Sequence, residues 1–179
     1  MTGGRQARDP DLLESIDRFE RTPFAGKVWR VVRETRDPLQ ASAVGARWDP
    51  GTFDVLYTSL DPDGALEEMY FHLSRQPVFP SVPFKLHRLR VQATNVLRLP
   101  EMRMLEELGV DASRFIAMDY MRTRAIGDAA YFLGFDGLIV PSARSRFLNL
   151  VLFDNRIDMT DAEIEQSEPI DWKAWRKPR

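Results

Sequence analysis

The apolar positions change their spacing several times along the chain, and each change marks an element. Between Pro10 and Glu20, Leu12, Leu13, Ile16 and Phe19 recur at helical intervals and predict a short amphipathic helix that ends before Thr22-Pro23. Lys27 to Arg33 alternates instead, which predicts a strand with Arg30 on the face opposite Trp29 and Val31. Val55 to Thr58 has the β-branched and aromatic content of another strand. Asp61 then stands where an N-cap belongs and Pro62 at the first helical position, so a helix is predicted to about Ser74. Ala65, Leu66, Met69, Tyr70 and Leu73 form its apolar stripe, and Glu67 and Glu68 flank that stripe on opposite sides.

Pro77, Pro80 and Pro83 exclude a helix or central strand between Gln76 and Pro83 and predict a surface loop. Phe84 to Ala93 alternates imperfectly and predicts a strand, which Asn95 to Leu99 can continue. Pro100 opens a helix through Leu108 that Gly109 ends, and a further helix between Tyr120 and Leu133 is ended by Gly134. In that helix Met121, Ile126, Ala129, Ala130 and Leu133 are expected to face inward. Leu138 to Val140 and Asn149 to Phe153 predict short strands around a loop from Ser142 to Arg146, and Asp161 to Glu168 predicts a solvated helical turn. Trp172 and Trp175 lie near the end of the chain. Helices and strands mix without βαβ regularity, so the fold class is α+β, one domain around a mixed sheet.

Composition narrows the partners. At 179 residues the chain is long enough for one sizeable core. Its 25 basic and 27 acidic residues nearly cancel, so no global field recruits nucleic acid or an anionic membrane. The absence of cysteine excludes thiol catalysis and cysteine-ligated zinc and fits a reducing compartment. No apolar run approaches membrane-spanning length and residues 1–10 hold no signal-peptide core, so the expected location is cytoplasmic. Neither G-x-G-x-x-G nor a P-loop is present, and His72 and His87 form no H-E-x-x-H, so no metal is expected.

Two stretches carry the remaining chemistry. Gly45–Leu73 places Arg47 and Trp48 in a loop before Asp49-Pro50-Gly51, then a strand, then the helix with its two glutamates. Gly134–Phe153 reads GFDGLIVPSARSRFLNLVLF. Together they resemble the RES domain, the toxin of RES–Xre toxin–antitoxin pairs, whose second motif is similar to G-x-D-G-I-x-x-P-S-A-R followed by N-L-x-L-F. The resemblance covers most of Trp29 to Phe153. The expected organisation is then residues 1–26 as an N-terminal arm and short helix, 27–155 as the RES domain, and 156–179, which carries no motif of the family, as a C-terminal extension packed on the same domain.

That resemblance implies a fold related to ADP-ribosyltransferases and a reaction that consumes NAD+ as substrate. Its motif carboxylate aligns with Glu68, a choice that periodicity alone leaves open between Glu67 and Glu68. Nicotinamide leaves NAD+ as a neutral molecule, so one carboxylate suffices to stabilise an oxocarbenium-like transition state and no general acid is required. Arg47 and the first-strand Arg30 match arginines of the family and suit the pyrophosphate, which a planar guanidinium grips with two parallel hydrogen bonds. Tyr57 offers a stacking surface for nicotinamide, Ser142 an orienting hydroxyl, and Asn149 a supporting amide. The implied acceptor of ADP-ribose is phosphate, water or a target protein. The implied partner is an Xre-like antitoxin, with homo-oligomerisation inside that complex compatible with the family. Two other classes fit the sequence: an interaction module anchored by Trp172 and Trp175, and a nucleic-acid binder using Arg122, Arg124, Arg144 and Arg146 beside Phe147.

Overall fold

The computed structural model describes residues 7–176. The arm expected over Met1 to Pro10 therefore lies outside the described residues for its first six positions, as do the last three residues of the C-terminal extension. In chain order the elements are α1 (Pro10–Asp17), β1 (Thr22–Arg33), β2 (Val55–Ser59), α2 (Pro62–Ser74), β3 (Phe84–Arg98), α3 (Met102–Glu107), α4 (Ala112–Ile116), α5 (Met121–Phe132), β4 (Gly137–Pro141), β5 (Leu148–Phe153), β6 (Glu163–Pro169) and α6 (Trp172–Trp175). The sheet runs β1-β2-β5-β4-β3-β6 and also pairs β1 with β3, so the first five strands close on themselves as a barrel. All pairings are antiparallel except β3 with β4, whose crossover contains α3, α4 and α5. This is the α+β, mixed-sheet architecture the pattern predicts, in a closed form that the pattern does not reveal.

Alternation decides what each strand buries. Val28, Leu56, Leu89, Ile139, Leu150 and Leu152 fill the barrel. The opposite faces of β2, β4 and β5 pack beneath α5 in a larger core around Trp48, Phe135 and Phe153. A third cluster joins Ala65, Leu66 and Leu73 of α2 to Val31, Phe84 and Leu86 of the β1–β3 ribbon. Asp61 caps α2 by accepting the N–H of Asp63 at 2.8 Å, and the helix ends at Ser74 as predicted.

Two expectations are corrected, and one element is added that the pattern left unassigned. Asp161 to Glu168 is mostly strand, not a helical turn, because Glu165 bridges Arg88 and Arg90 of β3 and Ser167 meets His87 across the ladder. Met121 is 80% exposed, since α5 begins there and turns its first residue outward. The segment between Gly109 and Tyr120 contains α4, capped by Asp111, which is too short for its periodicity to be read. Trp172 and Trp175 pack onto Tyr70, and Trp172 also onto Phe79 and Phe84, with both indole N–H groups buried, so they serve the fold's own third cluster. No helix among the described residues is long and apolar enough to cross a membrane.

Candidate active site

The loop before β2 is built around a buried carboxylate. Asp49 is fully buried and accepts the N–H groups of Gly45, Ala46 and Gly51 and the hydroxyl of Tyr57 at 2.5 Å. Gly45 and Gly51 take left-handed backbone angles, φ +70° and +85°, that only glycine adopts without strain. The Tyr57 hydroxyl also accepts the Trp48 N–H at 3.0 Å. Burial and the adjoining Asp49 carboxylate push this phenol well above its usual range. Tyr57 thus lines the cleft described below, while its hydroxyl ties the loop rather than waiting for a ligand. From α5, Arg124 donates to the carbonyls of Gly45 and Ala46. Gly127, also on α5, lies so close that a Cβ there would stand 1.7 Å from the Trp48 carbonyl oxygen.

Held in this way, the loop projects Arg47. Its Nη1 donates to the Phe115 carbonyl at 2.6 Å, and the guanidinium lies 4.8 Å and 4.7 Å from the ring centres of Phe115 and Tyr120. Partial burial lowers its pKa. Arg30 occupies the place where β1 and β2 separate, after their single pairing of Trp29 with Ser59. It donates to the Tyr57 carbonyl at 2.9 Å and the Gln40 carbonyl at 3.4 Å, while its Nε is buried without a partner among the described residues. Burial brings its pKa down to about 10, so it stays cationic at neutral pH.

Geometry separates the two glutamates. Glu68 Oε1 accepts the Ser142 hydroxyl at 2.7 Å and the Asn149 amide N–H at 2.8 Å. Ser142 Oγ in turn accepts the backbone N–H groups of Arg144 and Ser145, both at 3.1 Å, which leaves its proton for Glu68. Ser142 and Asn149 are buried, at 8% and 7% exposure. Glu67 faces a different groove with Tyr70 and Trp175.

A cleft of about 500 Å³ collects these groups. Arg30, Arg47, Tyr57, Glu68 and Asn149 line it, and Ser142 stands behind the carboxylate. Among the described residues its charged lining is five arginines, Arg30, Arg33, Arg36, Arg47 and Arg144, against the single carboxylate of Glu68. A chain of net charge −2 has concentrated its cations at one opening, which suits a multiply anionic ligand. His72, one turn after Glu68, also lines the cleft, and burial pushes its imidazole below the usual value. Sequence reasoning placed neither His72 nor Arg144 here, although the i, i+4 spacing from Glu68 and the P-S-A-R motif were the available signals. Arg122 and Arg124 are tied instead to the Leu108 carbonyl and the Gly45 loop, not spread as a basic face.

Comparisons with known proteins agree with this architecture. The chain is 24% identical over 169 residues to the NAD(+) phosphorylase MbcT of Mycobacterium tuberculosis and of Mycobacterium bovis, covering 90% of this chain and 91% of those proteins. It is 33% identical over 141 residues to the probable NAD(+) phosphorylase Rv3189 of M. tuberculosis, covering 74% of this chain and 66% of that protein. Its fold matches a chain in the crystal structure of the M. tuberculosis MbcT–MbcA toxin–antitoxin complex with a TM-score of 0.82, at 21% identity, over 96% of this chain and 98% of that one. The RES domain model matches residues 27–173, and the chain belongs to the RES domain family.

Proposed function

We propose that this protein cleaves the nicotinamide–ribose bond of NAD+ and transfers the ADP-ribosyl group to inorganic phosphate, as the toxin of a toxin–antitoxin pair. The observation that carries this reading is the carboxylate of Glu68, braced by Ser142 and Asn149 at the edge of an arginine-lined cleft. Both braces act on Oε1, so Oε2 makes no hydrogen bond to the described residues and is left for a ligand. An anion fixed beside the ribose stabilises positive charge developing at the anomeric carbon, and it needs no reorganisation to do so. Arg30 and Arg47 are the groups suited to the pyrophosphate, and their carbonyl anchors hold them in place before the substrate arrives. Phosphate is favoured over water or a protein side chain as acceptor by the names of the curated relatives.

Incubation of the purified protein with NAD+, with and without phosphate, tests the reading. Nicotinamide release that depends on phosphate and yields ADP-ribose 1″-phosphate is expected. Phosphate-independent release of free ADP-ribose would make the enzyme a glycohydrolase, and no release would end the proposal. The restraint of such an activity is assigned to a partner in trans, an Xre-like antitoxin in the family's terms. Expression of the chain alone should arrest growth, and co-expression with a cognate antitoxin should relieve it; harmless expression of active enzyme alone would remove the toxin role.

A further inference from the structure

Two of the cleft's cations are held by one short helix. The carbonyls of Phe115 and Ile116, consecutive residues closing α4, accept Arg47 Nη1 at 2.6 Å and Arg144 Nη1 at 2.5 Å. The Arg144 guanidinium also lies 3.7 Å above the centre of the Phe71 ring, on α2 between Glu68 and the end of that helix. Neither arginine has a carboxylate partner among the described ion pairs, and after burial the nearby charge of Arg144 is among the causes that lower the pKa of Arg47. Glu68 is the one carboxylate lining the cleft among the described residues, and one of its oxygens is already engaged. Two fixed guanidiniums facing one cavity with so little counter-charge are a site for an anion.

We propose that Arg144 and His72 form the subsite of the phosphate acceptor beside Glu68, a deepening that rests on the NAD+ cleavage proposed above. Position supports it. The Arg144 backbone N–H is bonded to the same Ser142 hydroxyl that braces Glu68, so carboxylate and cation are located from one atom. His72 follows Glu68 by one turn and therefore projects from the same side of α2. A reacting phosphate oxygen must come within about 3 to 3.5 Å of the anomeric carbon, and that carbon has to lie against Glu68. Arg47 and Arg30, the latter in the gap between β1 and β2, are left for the pyrophosphate.

In the step itself a lone pair of a hydrogen-phosphate oxygen forms the bond to the anomeric carbon. The bond from that carbon to the pyridinium nitrogen breaks, and its electron pair neutralises the ring. The remaining phosphate proton passes to the neutral imidazole of His72 and then to water. Atoms and charge balance with nicotinamide, ADP-ribose 1″-phosphate and one proton as products. Arginine supplies the fixed charge that a doubly charged tetrahedral anion requires, and the neutral imidazole supplies the proton acceptor.

The test is steady-state kinetics of full-length protein with phosphate and NAD+ varied separately. Arg144→Ala should raise KM for phosphate at least about tenfold, as expected for loss of one charge-assisted hydrogen bond, with KM for NAD+ little changed. Its products should shift from ADP-ribose 1″-phosphate toward free ADP-ribose. Arg144→Lys should recover part of the phosphate affinity, which a purely structural role for the loop would not produce. His72→Gln should lower kcat with saturating phosphate, and Arg146→Ala, in the same loop but stacked on Phe147, should behave as wild type. An unchanged phosphate KM in a folded Arg144→Ala protein overturns the subsite, and an equal rise in both KM values moves Arg144 to the NAD+ site. Failure of the wild type to cleave NAD+ would instead defeat the parent reading.

Discussion

Glu68 offers two unequal oxygens, one taken by Ser142 and Asn149 and the other without a protein partner among the described residues. Its replacement by Gln keeps the size and removes the charge, so nicotinamide release should fall by about a hundredfold or more, the usual scale for a lost electrostatic contact to a transition state. Glu67→Ala, on the far side of the helix, should keep most of the activity; the reverse ranking would mean that the cleft is not the active site. Arg47→Lys should weaken NAD+ binding, measured by titration calorimetry, because an ammonium can neither form a fork nor lie flat between Phe115 and Tyr120. An unaltered dissociation constant would take Arg47 out of the pyrophosphate site. A helical wheel alone could not separate Glu67 from Glu68, since both border the apolar stripe. What distinguishes them in the structure is that Ser142 and Asn149, from 74 and 81 positions away, reach Glu68, and no local pattern contains that information.

At the scale of elements, α2 was legible because its signals are local: Asp61 accepts the second N–H beyond it, and Pro62 begins the helix where an N–H is dispensable. β6 was not, because EIEQSEP has one large apolar residue and becomes a strand through what β3 offers it, Arg88 and Arg90 to Glu165 and His87 to Ser167. Helix α5 is the element most closely fitted to the site. It touches the Arg47 loop at Gly127, where any side chain meets the Trp48 carbonyl. Gly127→Ala should therefore destabilise the protein by about 2 to 3 kcal/mol despite alanine's better helix propensity, as overpacking of a rigid contact does. Thermal unfolding checks this, and an unchanged or raised Tm would show that helix and loop can separate at little cost.

On the scale of the whole molecule, the closed barrel explains why composition said so little about function. Near-neutral net charge conceals a cleft with five arginines, because β1, β2, α2, the α4–α5 connection and the loop before β5 each bring a part of its lining to one opening. Beyond the local Asp49 loop, the contacts that position the cleft's groups are distant in sequence: Arg47 and its anchor Phe115 are 68 positions apart, Arg30 and Tyr57 are 27 apart. Such contacts return free energy only after large loops have closed, which makes folding through them slow. Refolding from urea should therefore restore the helical circular dichroism before it restores NAD+ cleavage, with the lag set by barrel closure. Simultaneous recovery of both signals would contradict this. Under the proposed function, a newly synthesised chain would be inactive until the barrel closes, and an antitoxin that captured it within that interval would have no competing substrate to displace.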